Sequence, residues 1–163
     1  MDTLERTKIL KLIQQEVIPA IGCTEPISVA LCTAKATEIL GTIPEKITVY
    51  LSANILKNAM GVGIPGTGMI GLPIAIALGA LIGKSEYQLE VLKDCTPSDA
   101  KQGQKIIDSK SIQIYLKENI SEKLYIEAFC KSGENSSSAI ISGTHTNFIS
   151  KSVVRHLRII LPQ

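Results

Sequence analysis

Tryptophan is absent from this chain, and only four tyrosines and two phenylalanines stand among its 163 residues. An interior without large aromatic rings has to be built from Ile, Leu, Val and Ala. There are two histidines and four cysteines. No Cys-x-x-Cys occurs, and Cys23, Cys32, Cys95 and Cys130 are too scattered for a disulfide scaffold. His145 and His156 lie far from Cys23 along the chain, so no self-contained zinc module is predicted. Charge of one sign is also lacking: the formal net charge is +2, and no basic stripe carries interleaved aromatics. That argues against a nucleic-acid partner. The longest apolar run, about 68–83, is broken by Pro73 and several glycines. It is shorter than the roughly 20 residues a membrane-spanning helix needs. Asp2 and Glu5 stand where a secretory leader would carry basic residues, so a cytoplasmic protein without membrane contact is expected.

What is present suits one compact domain, since 45% of the residues are hydrophobic. Ile9, Ile13 and Val17 recur every four residues, predicting a helix over 4–18 that Pro19 stops. A second helix is predicted over 25–40, with Gly41 just past its end. Alternation with β-branched residues makes 47–51 a strand. A glycine-rich stretch follows, and then a helix over Met69–Leu81, apolar all round and hence buried. Thr96-Pro97-Ser98-Asp99 opens an amphipathic helix to about Ser109. The remainder reads as a meander: strands at 112–116 and 124–130, a polar turn over 131–138, and a third strand at 139–142. The expected class is α+β, with helices near the N-terminus and a buried glycine-flanked helix packed on a mainly antiparallel sheet.

Two motifs are decoys. Gly61-Val62-Gly63-Ile64-Pro65-Gly66 satisfies the dinucleotide glycine pattern, but it lies well past the preceding strand and holds a proline. The stretch 79–85 resembles a phosphate-binding loop, but Leu78 stands where its first glycine should be. The glycine segment 61–68 still has two readings, a tight packing turn or a cradle of backbone N–H groups for a carboxylate.

The sharpest local signal is the stretch 19–31, PAIGCTEPISVAL. Thr24 is placed as the helix cap, with Glu25 and Pro26 in the first turn. Cys23 then sits at the mouth of a helix, where a thiolate is stabilised. It reads as a nucleophile or metal ligand, or as part of a plain helix start. Cys32 lies on the opposite side of a continuous helix, because each residue turns it by about 100°, so the two thiols share no metal. Cys32 and Cys130 read as core residues. Cys95 lies near a helix start.

PAIGCTEPISVAL, NILKNAMGVGIPGTGMIGLPIAIALGA, EKLYIEA and SGTHTN together resemble the L-cysteine desulfidase family. That family groups with serine dehydratase α-chain-like proteins and uncharacterised UPF0597-type proteins. The resemblance covers about 5–148. It implies an iron–sulfur lyase converting L-cysteine and water to pyruvate, ammonia and sulfide. A [4Fe–4S] cluster is expected, held by three cysteines with one iron open to substrate, and Cys23 matches one ligand. Glu25 and His145 become the candidate catalytic residues, His145 as base or hydrogen-bond donor. Asn54, Asn58, Gly61, Gly63, Gly66, Thr67 and Gly68 become candidate substrate-binding residues. Family members are longer, so the chain is expected to match their N-terminal half as a single domain without the cluster-binding C-terminal half. The expected partners are a small amino acid, a separate C-terminal half and a second copy of the chain. Two other readings stand beside this one: a lyase acting on L-serine, or a non-catalytic remnant that binds a small ligand or partner.

Overall fold

In a computed structural model, residues 2–17 and 19–156 are described. The helices are α1 (Thr3–Glu16), α2 (Thr24–Leu40), α3 (Ala53–Ala59), α4 (Leu72–Ile82) and α5 (Pro97–Asp108). The strands are β1 (Lys46–Leu51), β2 (Gly63–Ile64), β3 (Met69–Ile70), β4 (Ile112–Leu116), β5 (Tyr125–Ser132), β6 (Asn135–Ser142) and β7 (Phe148–Val154). A short 3₁₀ segment covers Ser85–Glu90. Five strands form one sheet in the order β4-β1-β5-β6-β7, while β2 and β3 make a separate small hairpin. The α+β class with a mainly antiparallel sheet is as expected.

α2 is the centre of the molecule. Its residues Ile27 to Ala34 are all buried, because it lies on β5 and β6 on one side and against α4 on the other. Each Leu or Ile fully buried in this way contributes about 1.5–3 kcal/mol. Small residues let the helices approach. A Cβ on Gly79 of α4 would stand 2.5 Å from the Ala30 carbonyl oxygen of α2. One on Gly103 of α5 would stand 2.8 Å from a methyl of Ile74. Polar groups in this interior are satisfied: Ser137 of β6 donates its hydroxyl to the Ala36 carbonyl at 2.6 Å. α1 is different, for every described side chain from Leu4 to Gln14 is exposed, Leu10 and Leu12 at 50% and 57% included.

Four expectations need correction. The third helix does not begin at Met69, because Met69 and Ile70 pair with Ile64 and Gly63 in the hairpin and α4 starts only at Leu72. Pro73 lies in the first turn of α4, where a missing N–H costs nothing. The sheet is not a simple meander. β4 pairs in parallel with β1 at the sheet edge, and β1 separates it from β5. Local alternation cannot reveal this, since strand order depends on which long-range pairs bury most. The stretch 131–138 is no broad turn: β5 runs to Ser132 and β6 resumes at Asn135, paired with it. A seventh strand, β7, pairs with β6 beyond the third strand of the expected meander. The corresponding successes are α2 with Gly41 in the left-handed conformation at its end, β1, and α5 with Thr96 and Asp99 forming a reciprocal capping box.

Candidate functional site

The mouth of α2 gathers groups from distant parts of the chain. Cys23 is itself the N-cap residue, in extended backbone conformation, and Thr24 is already helical. Thr24 therefore does not cap the helix. Its hydroxyl turns instead to the Glu25 carboxylate, donating to Oε2 at 3.2 Å. The exposed Cys23 thiol donates to the same oxygen at 3.0 Å. This bond holds the proton on sulfur and raises the Cys23 pKa, an effect that burial adds to. The same bond, against a counteracting burial effect, holds the Glu25 carboxyl below the usual carboxylate range. The helix-mouth expectation of a stabilised thiolate is thus reversed by the neighbouring carboxylate.

His145 lies in the turn between β6 and β7. Its Nε2 stands 3.7 Å from Glu25 Oε1, close enough for ion pairing when the ring is protonated but too far for a hydrogen bond. The side chain as a whole is one-third exposed, yet this nitrogen is buried and has no hydrogen-bond partner. Ser28, fully buried one turn into α2, explains how the loop is held: its Oγ donates to the His145 carbonyl at 2.5 Å. Asn147 braces the same turn, donating from its amide to the Ser142 carbonyl at 3.0 Å.

A third element reaches the same mouth. A Cβ on Gly22 would stand 2.9 Å from Cγ of Pro65, at the tip of the β2–β3 hairpin. Gly22 is therefore a close-approach glycine. The hairpin turn is held by Thr67, whose hydroxyl donates to the Ile64 carbonyl at 2.7 Å and accepts the Met69 N–H at 2.9 Å. Gly66 and Gly68 take left-handed φ values of 79° and 66° there. Gly66 and Thr67 also border a groove of about 520 Å³ toward Lys101 of α5.

Among the sequence candidates, then, Cys23, Glu25 and His145 meet. Gly61 and Gly63 lie at the exposed base of the hairpin. Asn54 and Asn58 sit exposed on α3, with no hydrogen bond to the Cys23 cluster among the described residues. Ser28 and Pro65 had no place among the sequence candidates. Ser28 did leave a signal, as a lone small polar residue in an apolar helical run that must find a partner when buried.

The other thiols are differently placed. Cys32 is fully buried, with its sulfur 3.2 Å from the Ala139 carbonyl oxygen, and burial pushes it up to about 12. Burial likewise pushes Cys130 up to about 11. Cys95, half-buried at the start of α5, is also raised by burial. Among the described residues no group of three or more His, Cys, Asp or Glu side chains could hold a metal ion. The donor set therefore fits one ligand of an iron–sulfur cluster, at Cys23, and not a complete site.

Fold and site together define an α+β protein, sheet on one side and helices on the other, with a thiol–carboxylate–imidazole cluster at a helix mouth. No described helix is long and apolar enough to cross a membrane. No family model and no solved structure matches the chain. It is 71% identical over 149 residues to a UPF0597 protein of Bacteroides fragilis, covering 91% of this chain and 35% of the relative. A UPF0597 protein of Phocaeicola vulgatus is 71% identical over 145 residues, 89% of this chain and 34% of that one. One of Photobacterium profundum is 44% identical over 138 residues, 85% of this chain and 32% of its own length. These similarities support the UPF0597 family. The chain spans about a third of the length of the curated relatives it matches.

Proposed function

We propose that the chain supplies part of the active site of a lyase that eliminates sulfide from L-cysteine. The observation that carries this reading is the buried, unpartnered His145 Nε2 facing Glu25, whose other oxygen accepts a hydrogen bond from the Cys23 thiol. A β-elimination breaks the Cα–H and Cβ–S bonds of the substrate and forms a Cα–Cβ double bond. The resulting enamine takes up water to give pyruvate and ammonia. His145 Nε2 has no competing hydrogen bond, so it is placed to accept the Cα proton, and Glu25 beside it steadies the imidazolium that results. Glu25 Oε2 is also the acceptor for the Cys23 proton when that sulfur becomes a ligand. Backbone N–H groups of the glycine hairpin, docked beside Cys23 through Pro65 and Gly22, suit the substrate carboxylate.

A [4Fe–4S] cluster bound through Cys23, with its remaining ligands outside this chain, would supply the Lewis acidity that stabilises the departing sulfide. UPF0597 relatives extend far beyond the matched segment, which leaves room for those ligands.

The test is anaerobic co-expression of this chain with the unmatched two thirds of the Bacteroides fragilis relative. Sulfide and pyruvate release from L-cysteine are expected. His145→Ala should lower turnover by about 10²–10⁴-fold with iron content unchanged. Cys23→Ala should lose the iron. Pyruvate from L-serine without sulfide from L-cysteine would transfer the reading to a serine lyase. No product from either substrate overturns it.

A further inference from the structure

The helices pack on one face of the sheet, and the other face carries an aromatic patch that no described helix covers. Of six aromatic residues in the whole chain, four lie here: Tyr50 on β1, Tyr115 on β4, and Tyr125 and Phe129 on β5. Alternation places them there, because their strand neighbours Val49, Leu51, Ile126, Ala128 and Cys130 point into the core. The patch is ordered. Tyr50 and Tyr115 are directly opposite each other, with stacked rings 5.6 Å apart. Lys117 Nζ lies 5.5 Å from the rings of both Tyr50 and Tyr125 and 3.1 Å from Glu127. Glu127 in turn accepts the Tyr125 hydroxyl at 2.8 Å. Tyr115 remains 46% exposed and Phe129 39%.

We infer that this face is the docking surface for the part of a UPF0597 protein that this chain does not contain. Two observations select that occupant. About two thirds of each relative lies outside the matched segment, so a large body of the same protein is available to cover it. The patch also mixes aromatic rings with hydroxyls and an internally satisfied Lys117–Glu127 pair. That composition matches the more polar interfaces between domains of one protein, and not the apolar face of an obligate homodimer. Tyrosine rings with paired hydroxyls are the anchors such contacts use. The inference is independent of the lyase reading, because binding and not turnover is measured.

The test co-expresses the tagged chain with the unmatched part of the Bacteroides fragilis relative and measures the soluble complex by gel filtration. Tyr115→Arg and Phe129→Arg, made separately, should each cut recovered complex at least about tenfold. The melting temperature of the free chain should stay within a few degrees. Lys101→Glu, on α5, should leave recovery unchanged. A second measurement needs no separate partner. Tyr115→Cys in this chain should react with a thiol reagent readily. A cysteine at the aligned position of the full-length relative should react at least tenfold more slowly. Equal recovery for the face and control variants, equal labelling in the two proteins, or a dimer of this chain joined through the patch would each overturn the inference.

Discussion

Cys23 and Cys32 belong to one helix and to opposite environments. Cys23 stands at the mouth of α2, exposed, with a carboxylate 3.0 Å away that takes its hydrogen bond. Cys32 lies in the middle of the same helix, fully buried, with its thiol against a strand carbonyl. Both pKa values are raised, but for different first causes: a neighbouring acceptor that holds the proton at Cys23, loss of solvent at Cys32. The contrast teaches that helix position alone does not decide thiol chemistry. A first-turn carboxylate can outweigh the helix dipole, and burial can silence a cysteine altogether.

Labelling kinetics probe the contrast most strongly. In the native state at pH 8, an alkylating reagent should modify Cys23 and leave Cys32 at least about a thousandfold slower, because Cys32 reacts only on unfolding. Mass spectrometry of digests checks this. Raising the pH to 9 should speed Cys23, whose thiolate fraction is still rising, without exposing Cys32. Comparable rates would mean that α2 is not packed as described. Next in size, Leu31→Ala, beside Cys32 in the buried stretch, should destabilise the fold by about 2–5 kcal/mol through the cavity it leaves. A denaturant midpoint unchanged within error would count against α2 as the core helix. The smallest effect belongs to the mouth. Cys23→Ala removes an exposed side chain and should change stability by less than about 0.5 kcal/mol. A much larger loss in chemical denaturation would give Cys23 a structural role.

Much of α2 could be read locally. Its apolar run, the left-handed glycine at its end and the acidic first turn are one-dimensional signals, and so are the capping box of α5 and the alternation of β1. What escaped local reading was of two kinds. Thr24 is a strong capping type, but Glu25 next to it offers a charged acceptor, and competition between two side chains within one turn is not visible in spacing. β4 alternates like any edge strand, yet its parallel pairing with β1 joins strands separated in the chain by α3, the hairpin, α4 and α5. The approach of Pro65 to Gly22 belongs to the same class.

By itself the sequence determined the aliphatic character of the core, the helix that follows Cys23, and the interest of the thiol at its mouth. Those follow from side-chain type and period, which act over a few residues. Tertiary structure alone decided that His145 meets Glu25, that Ser28 holds the loop carrying His145, and that four aromatics share an uncovered sheet face. These are contacts between segments up to 117 residues apart. They exist because burying α2 between the sheet and α4 leaves its N-terminal mouth at the place where the β6–β7 turn and the glycine hairpin converge.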